Sequence, residues 1–344
     1  MLAVNTGAYI RGSLLALEHM RRDRGGRGGV IINVASLAGL YVSSFNPGYC
    51  ASKHAVVGFT TSWAMSPDQK DHGVRWCCLC PDAIQTSMIA ARDYNHPELA
   101  DSISKSTELC LSQVAQAVIK LIQDPDNNGA ILEVSLAKGA RYRRRQIVDR
   151  DGVSDLVVVD TVFMDPRGKG VFLTGGAQGL GRGIVEELLS LGAKAAVCKL
   201  GAVEICVNNV GILNEKNWEK VLPINVESHI RGSLLALEHM RRDYGGRGGV
   251  IINVASTLGY LSMPTSPIYV ASKHAVVGFT TSWAMSPDQK EHGVRWCCLC
   301  PDAFDSEMMR ESLKGDIIHN AEVLQHYVQQ QGTLKISQVA EGVS

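Results

Sequence analysis

The sequence predicts an α/β protein with a doubly wound parallel sheet, present as two incomplete copies in tandem. Three observations predict this class. Residues 9–88 align with residues 229–308 at a constant offset of 220 without a gap, and 62 of the 80 positions are identical; a repeat of this size governs every later reading. Each copy carries two continuous apolar runs, GGVIINVAS from Gly28 and Gly248 and VRWCCLCP from Val74 and Val294, as expected of parallel strands covered on both faces. Between and around these runs lie segments of helical spacing, which gives the strand–helix alternation of βαβ units.

The elements follow in order. GSLLALEHMRRD precedes the first strand of each copy and reads as a helix. YCASKHAVVGFTTSWAM from Tyr49 and YVASKHAVVGFTTSWAM from Tyr269 are helices between the two strands. In the first copy, SQVAQAVIKLIQDPDNNGAILEVS from Ser112 reads as helix, turn and strand. Residues 1–140 are therefore a first copy, and 141–166 a linker entered through KGARYRRRQIVDRD from Lys138, whose arginines read as solvated. Residues 167–344 are the second copy. It alone has a front half: KGVFLTGGAQGLGRGIVEELLSLGA from Lys169 is a short strand, a glycine-rich turn and an amphipathic helix. Gly175, Gly179 and Gly181 fit TGxxxGxG, which allows a tight turn and brings backbone close to a pyrophosphate at a helix N-terminus. The next strand, VEICVNNVG, ends in Asn208, Asn209 and Gly211.

Composition narrows the function. The 344 residues are 45% hydrophobic with 34 basic and 34 acidic side chains. Zero net charge argues against a nucleic-acid partner. No run of 18 apolar residues predicts a membrane span, and the opening MLAVNTGAYIRG lacks a charged leader followed by an apolar stretch, so a cytoplasmic protein is expected. Of ten cysteines, six lie in the duplicated WCCLC run, which reads as buried, reduced thiols. A zinc site at Cys77, Cys78 and Cys80 is disfavoured because successive strand residues point to opposite faces, and no metal is expected.

The strongest constellation is Ser256, Tyr269 and Lys273 with Asn225 upstream, repeated as Ser36, Tyr49, Lys53 and Asn5. Tyrosine and lysine four apart share a helical face. A phenol ordinarily titrates near about 10, and a neighbouring ammonium favours the phenolate. Serine at the end of the preceding strand can hydrogen-bond a reacting oxygen, and asparagine can hold a proton-relay water. Of the 18 differences between the copies, 15 fall at 37–50 or 84–87, beside these residues. The scaffold was kept while the pocket walls changed, which points to an enzyme.

TGGAQGLG, NNVG, Asn225, Ser256 and YVASK, in this order, resemble the short-chain dehydrogenase/reductase family. NEKNWEKVLPIN, GGRGGVIINVASLAG and NNGAILEVSLAKG are similar to its group of NAD-dependent 15-hydroxyprostaglandin dehydrogenases. The resemblance implies a Rossmann-like sheet, a nicotinamide cofactor (NAD, with NADP left open) and hydride transfer at a secondary alcohol or ketone. It implies Tyr269 as acid/base, Lys273 as the group that lowers its pKa and holds ribose, Ser256 as substrate orienter and Asn225 as proton relay. It also places Gly175, Gly179, Leu180, Gly181, Asn208, Gly211 and Pro301 against the cofactor. Asn46 and Ser266, three residues before the tyrosines, stand where the prostaglandin enzymes carry a longer glutamine. The implied substrate is therefore a hydroxylated fatty acid, a prostaglandin-like lipid or another small secondary alcohol. Family members commonly dimerise through the helices bearing Asn225 and Tyr269, which implies an intramolecular pseudo-dimer or a homodimer.

The chain also departs from the family. The first copy begins at the Asn5 helix and has no glycine turn. The second runs from Lys199 straight into LGAVEICVNN, where the family places on the order of 50 further residues, and it stops at SQVAEGVS without a last strand. Because adjacent parallel strands need a long crossover, one of KAAVC and VEICVNN is expected to lose its place, with VEICVNN retained. The family's proline-glycine is Pro81-Asp82 and Pro301-Asp302 here, so a side chain is expected to crowd the nicotinamide. Three readings follow: a working dehydrogenase in the second copy, an impaired pseudoenzyme acting as a dimerisation module, or parts of two neighbouring dehydrogenase genes joined.

Overall fold

The computed structural model describes residues 1–84, 109–143, 165–195 and 202–341. Two Rossmann-like α/β units are present. In the first, a π-helical turn (Ala3–Gly7) leads into α1 (Ala8–Met20), then β1 (Gly29–Val34), α2 (Pro47–Trp63), β2 (Val74–Pro81), α3 (Leu111–Gln123), β3 (Ile131–Ser135) and β4 (Gly139–Arg143). Its sheet has the order β1-β2-β3-β4, parallel except for the β3–β4 hairpin. The second begins with β5 (Gly170–Leu173), α4 (Gly179–Ser190), β6 (Lys194–Ala195) and β7 (Ile205–Asn208). A π-helical turn (Pro223–Glu227), α5 (Ser228–Met240), β8 (Gly249–Val254), α6 (Pro267–Ala284) and β9 (Val294–Leu299) follow, and α7 (Glu307–Leu313), α8 (Ala321–Gln331) and α9 (Ile336–Glu341) close the unit. This sheet is parallel throughout, in the order β6-β5-β7-β8-β9.

Two expectations are corrected. Lys194–Ala195 at the start of KAAVC and Ile205–Asn208 of VEICVNN both hold a place in the sheet, on either side of β5. Lys194–Ala195 forms β6, paired with Gly170 and Val171 of β5. Ala195 and Ile205 both pair with Val171, so they lie about two strand spacings, ~10 Å, apart. The junction at Lys199 lies outside the described residues. The expected linker also starts later, because Gly139–Arg143 is a strand. Arg141 and Arg143 are not simply solvated: both reach the buried carboxylate of Glu133, at 3.1 and 3.6 Å.

The two units share one core. α2 and α6 are buried on almost every face, the pattern of helices packed on all sides, and they pack against each other. Glycine permits the close approach. A Cβ on Gly58 would lie 2.6 Å from His274 Cγ, and one on Gly278 would lie 2.7 Å from His54 Cγ. Each half also builds the same aromatic cluster: Trp63 stacks on Trp76 with Phe59 edge-on, and Trp283 stacks on Trp296 with Phe279 edge-on. Polar contacts cross between the halves as well. Thr61 Oγ1 and Ser262 Oγ are 2.7 Å apart, and the Met263 amide donates to Ser62 Oγ. Arg11 of α1 stacks on Trp218 and meets Glu219 at the rim.

Substituting Gly58→Val should overpack this seam. The expected loss is about 1–3 kcal/mol of unfolding free energy, read as a lowered urea midpoint. An unchanged midpoint would mean that the two helices do not meet in solution.

Candidate active site

The site residues lie at the carboxyl ends of β5, β7, β8 and β9, where open α/β sheets bind ligands. The glycine turn leaves β5 at Leu173 and is tied to the end of β7. Thr174 Oγ1 accepts the amides of Asn209 and Val210 at 3.0 and 3.4 Å, and Asn209 Nδ2 donates to the Thr174 carbonyl. Gly175 and Gly179 have φ of 73° and 55°, the left-handed region that glycine enters freely. A Cβ on Gly181 would lie 2.2 Å from the Gly175 carbonyl oxygen and 2.6 Å from Asn209 Nδ2, so no side chain fits there. α4 begins at Gly179, which turns its first amides toward the turn, and Leu180 is buried beneath it. This cradle suits a dinucleotide pyrophosphate.

The strand–loop after β7 connects the cradle to the proposed catalytic set. Asn225, fully buried in its π-helical turn, accepts the Ile212 amide and donates to the Ile212 carbonyl, both at 2.8 Å, and donates to Ser272 Oγ at 3.0 Å. π-turns of this kind are frequent at functional sites. A Cβ on Gly211 would stand 3.5 Å from both Asn225 Oδ1 and Lys273 Nζ. Asn208, by contrast, is spent on the scaffold: its Nδ2 donates to Ser233 Oγ and Asn253 Oδ1 deep in the core.

Ser256 follows β8. Its hydroxyl donates to the Pro301 carbonyl at 3.4 Å and accepts the Leu258 amide, so Pro301 anchors the serine. Lys273 is buried, donates to the Val254 carbonyl at 3.0 Å and lies 5.5 Å from the centre of the Tyr269 ring. Burial lowers its pKa to about 8. Burial pushes the Tyr269 phenol up, and a hydrogen bond from Ser256 offsets only part of that. The sequence led us to expect a phenol lowered by lysine. In the structure desolvation is the larger effect, because the lysine is itself partly desolvated and points to Val254.

Several neighbours were not singled out from the sequence. His229 is buried, and burial with the nearby Lys273 charge holds its pKa down to about 3, so it is neutral; the first half has Tyr9 at this place. Glu215 is the more consequential. Its carboxylate accepts the amides of Ile268 (3.0 Å) and Tyr269 (2.9 Å), capping the helix that bears the proposed base from 53 residues away. Burial pushes its pKa up to about 8, against the lowering effect of those two donors. The only sequence sign was an acidic residue inside NEKNWE. His319 stands 3.8 Å from this carboxylate with its ring against Trp63 of the first half. Ser266 is buried at the entry to α6, while Asn46 at the matching place is exposed. Asp302 is held by the hydroxyls of Thr257 and Tyr327, each at 3.4 Å.

The first half repeats part of this arrangement. Asn5 Nδ2 donates to Ser52 Oγ, Ser36 Oγ to the Pro81 carbonyl, and Lys53 Nζ to the Val34 carbonyl. Lys53 lies 5.2 Å from the centre of the Tyr9 ring and 5.7 Å from that of Tyr49. Among the described residues its sheet contains no strand beyond β1, and no glycine turn approaches Tyr49.

Comparison with known proteins assigns the chain. The short chain dehydrogenase family model matches residues 1–96 and 193–316, and the chain belongs to that family. The two separate stretches agree with two incomplete copies. Among curated relatives, the 15-hydroxyprostaglandin dehydrogenase [NAD(+)] of Bos taurus is 34% identical over 217 residues, 50% of this chain and 79% of that protein. The Homo sapiens protein of the same name is 32% identical over 52% of this chain and 86% of its own length. Among solved structures, ligand-free aldohexose dehydrogenase of Thermoplasma acidophilum aligns with 53% of this chain and 87% of its own at 23% identity and a TM-score of 0.43.

Glu215 makes stability depend on pH. An unfolded glutamate titrates near about 4.3, so from there to about 8 the folded chain keeps a proton that the unfolded chain releases. Stability should therefore fall as pH rises through this window. In Glu215→Gln that component of the slope should vanish, measured by urea unfolding at several pH values. Equal slopes for both chains would refute the assignment.

Proposed function

We propose that the second half is an NAD(P)-dependent dehydrogenase site that exchanges hydride between the nicotinamide and a secondary alcohol or ketone. The supporting observation is one of placement: the glycine cradle, the Gly211 segment and the Ser256–Tyr269–Lys273 set share the carboxyl end of one continuous sheet. Gly175, Gly179, Gly181 and the first turn of α4 hold the pyrophosphate. Lys273, beside Gly211, holds the ribose. The nicotinamide supplies the hydride acceptor when bound. Tyr269 takes and returns the alcohol proton at its phenolic oxygen, Ser256 orients the substrate oxygen, and Asn225 fixes the Ile212 backbone at the head of a proton relay. A charged ribose-holding lysine brought into line with Tyr269 would offset the burial that now raises the phenol.

The substrate class we favour is a hydroxylated fatty acid or prostaglandin-like lipid, supported by the relatives' names, with the shorter Ser266 in place of glutamine weighing toward a hydroxylated lipid other than prostaglandin itself. The first half serves as an intramolecular packing partner, forming with the second a pseudo-dimer through α2 and α6. Its Trp63 and Ser62 support His319 and Met263 around the substrate side of the site.

Tyr269→Phe should lower alcohol-dependent NAD(P)+ reduction by about 10²–10⁴-fold, while Tyr49→Phe should leave it within about twofold. The assay uses a panel of hydroxylated fatty acids and small secondary alcohols. Equal losses in the two variants, or a folded wild-type chain without turnover on any of them, would overturn the reading.

A further inference from the structure

The two WCCLC runs have one sequence and two surroundings. In the first half β2 continues through Cys80 to Pro81 and is paired on both sides: Cys78 with Asn33 and Ile131, Cys80 with Glu133. Cys77, Cys78 and Cys80 are fully buried. In the second half β9 ends at Leu299 and pairs only with β8 among the described residues. Cys298 and Cys300 are partly exposed there, and Cys300 lies beyond the strand. In both halves the paired sulfurs are 3.8 Å apart, because residues two apart in a strand share a face.

The second pair also has activating neighbours. The neighbouring Cys298 side chain, the Ser256 backbone amide and the Lys273 charge together hold the Cys300 thiol below its ordinary range despite its partial burial. The Cys298 thiol, to which Cys300 Sγ donates at 3.8 Å, is pushed well up by its Cys300 neighbour and by desolvation. A thiolate beside a protonated thiol, in an electropositive and partly open position, is the arrangement of a reactive pair.

We propose that Cys300 and Cys298 are a peroxide-reactive dithiol that closes to a disulfide beside Lys273, and that the identical Cys78–Cys80 pair does not. The Cys300 thiolate attacks the outer oxygen of a hydroperoxide; the O–O bond breaks, and the departing alkoxide takes a proton and leaves as an alcohol. Cys300 is then a sulfenic acid. The Cys298 sulfur attacks it, the S–S bond forms, the S–O bond breaks, and hydroxide leaves as water with the Cys298 proton. Two thiols have lost two electrons and two protons, and the peroxide has become alcohol and water. Closure from 3.8 Å to the S–S bond length of about 2.05 Å needs backbone movement. β9 has no strand on its outer side among the described residues and so has room to supply it, whereas Cys80 is held in register by Glu133. Closure removes the thiolate that faces Lys273, so turnover falls; that consequence rests on the proposed catalytic role of Lys273.

The test treats the full-length chain with hydrogen peroxide, caps remaining thiols with N-ethylmaleimide, and weighs the tryptic peptides. Those spanning 76–92 and 296–310 differ in sequence and are resolved by mass. The expected result is a disulfide in 296–310 at least tenfold faster than in 76–92, with the difference erased in denaturant. Cys297→Ser should still close, and Cys298→Ser should not. Equal rates in the folded chain, no closure in 296–310, or closure in Cys298→Ser would overturn the proposal. The mass readout needs no turnover, so a chain without dehydrogenase activity still gives an answer. Turnover lost with oxidation and restored by dithiothreitol tests the link to Lys273, and unchanged turnover in the disulfide form overturns it.

Discussion

Two near-identical helices, α2 and α6, bury each other across a seam that glycine, alanine and threonine keep narrow, and both incomplete sheets lean on it. The first unit has no strands beyond β1 among the described residues, and the second has none beyond β9. Neither sheet covers as much apolar surface as a complete doubly wound fold would. The shared cluster of Trp63, Trp76, Phe279 and Trp296 with its surrounding aliphatic side chains spans both halves. Burial on this scale at roughly 25 cal/mol per Å² is the dominant favourable term in folding. The missing pieces are thus compensated between the copies, at the seam, and not within either.

That seam also explains the asymmetry of the halves. α6 enters under the Glu215 cap, with Tyr269 at its second peptide amide, whereas Asn46 at the N-cap of α2 makes no side-chain cap hydrogen bond. The second half has a cradle joined to its proposed catalytic set through Asn209, Gly211 and Asn225. The first has the tyrosine, serine and lysine, but Tyr9 stands where the second has His229. Substitutions gathered at 37–50 lie between Ser36 and the first turn of α2, so near-identical scaffolds came to carry different surroundings. The same division reaches the thiols, where one extra strand decides whether a WCCLC run is sealed or open.

Much of this was legible in the sequence because it is local. TGGAQGLG announces its turn through glycines whose φ or close contacts forbid side chains, and the tyrosine–lysine spacing announces a shared helical face. What was not legible depends on tertiary placement. Glu215 reaches its amides across 53 residues, which no local pattern records. The place of β6 beside β5 rests on the Gly170–Lys194 and Val171–Ala195 pairs, which no local pattern records either. The direction of the Tyr269 shift is set by burial, which spacing cannot report. Arg141 and Arg143 resembled a solvated linker until a buried Glu133 was found beneath them.

The proposed cofactor site is one per chain, built in the second half and braced by the first. Titrating the purified chain with NADH and with NADPH, followed by nucleotide fluorescence, tests it most directly. One saturable equivalent, abolished by a side chain introduced at Gly181 in a chain that still folds, is the predicted result. Two equivalents, or no binding by a folded chain, would contradict it.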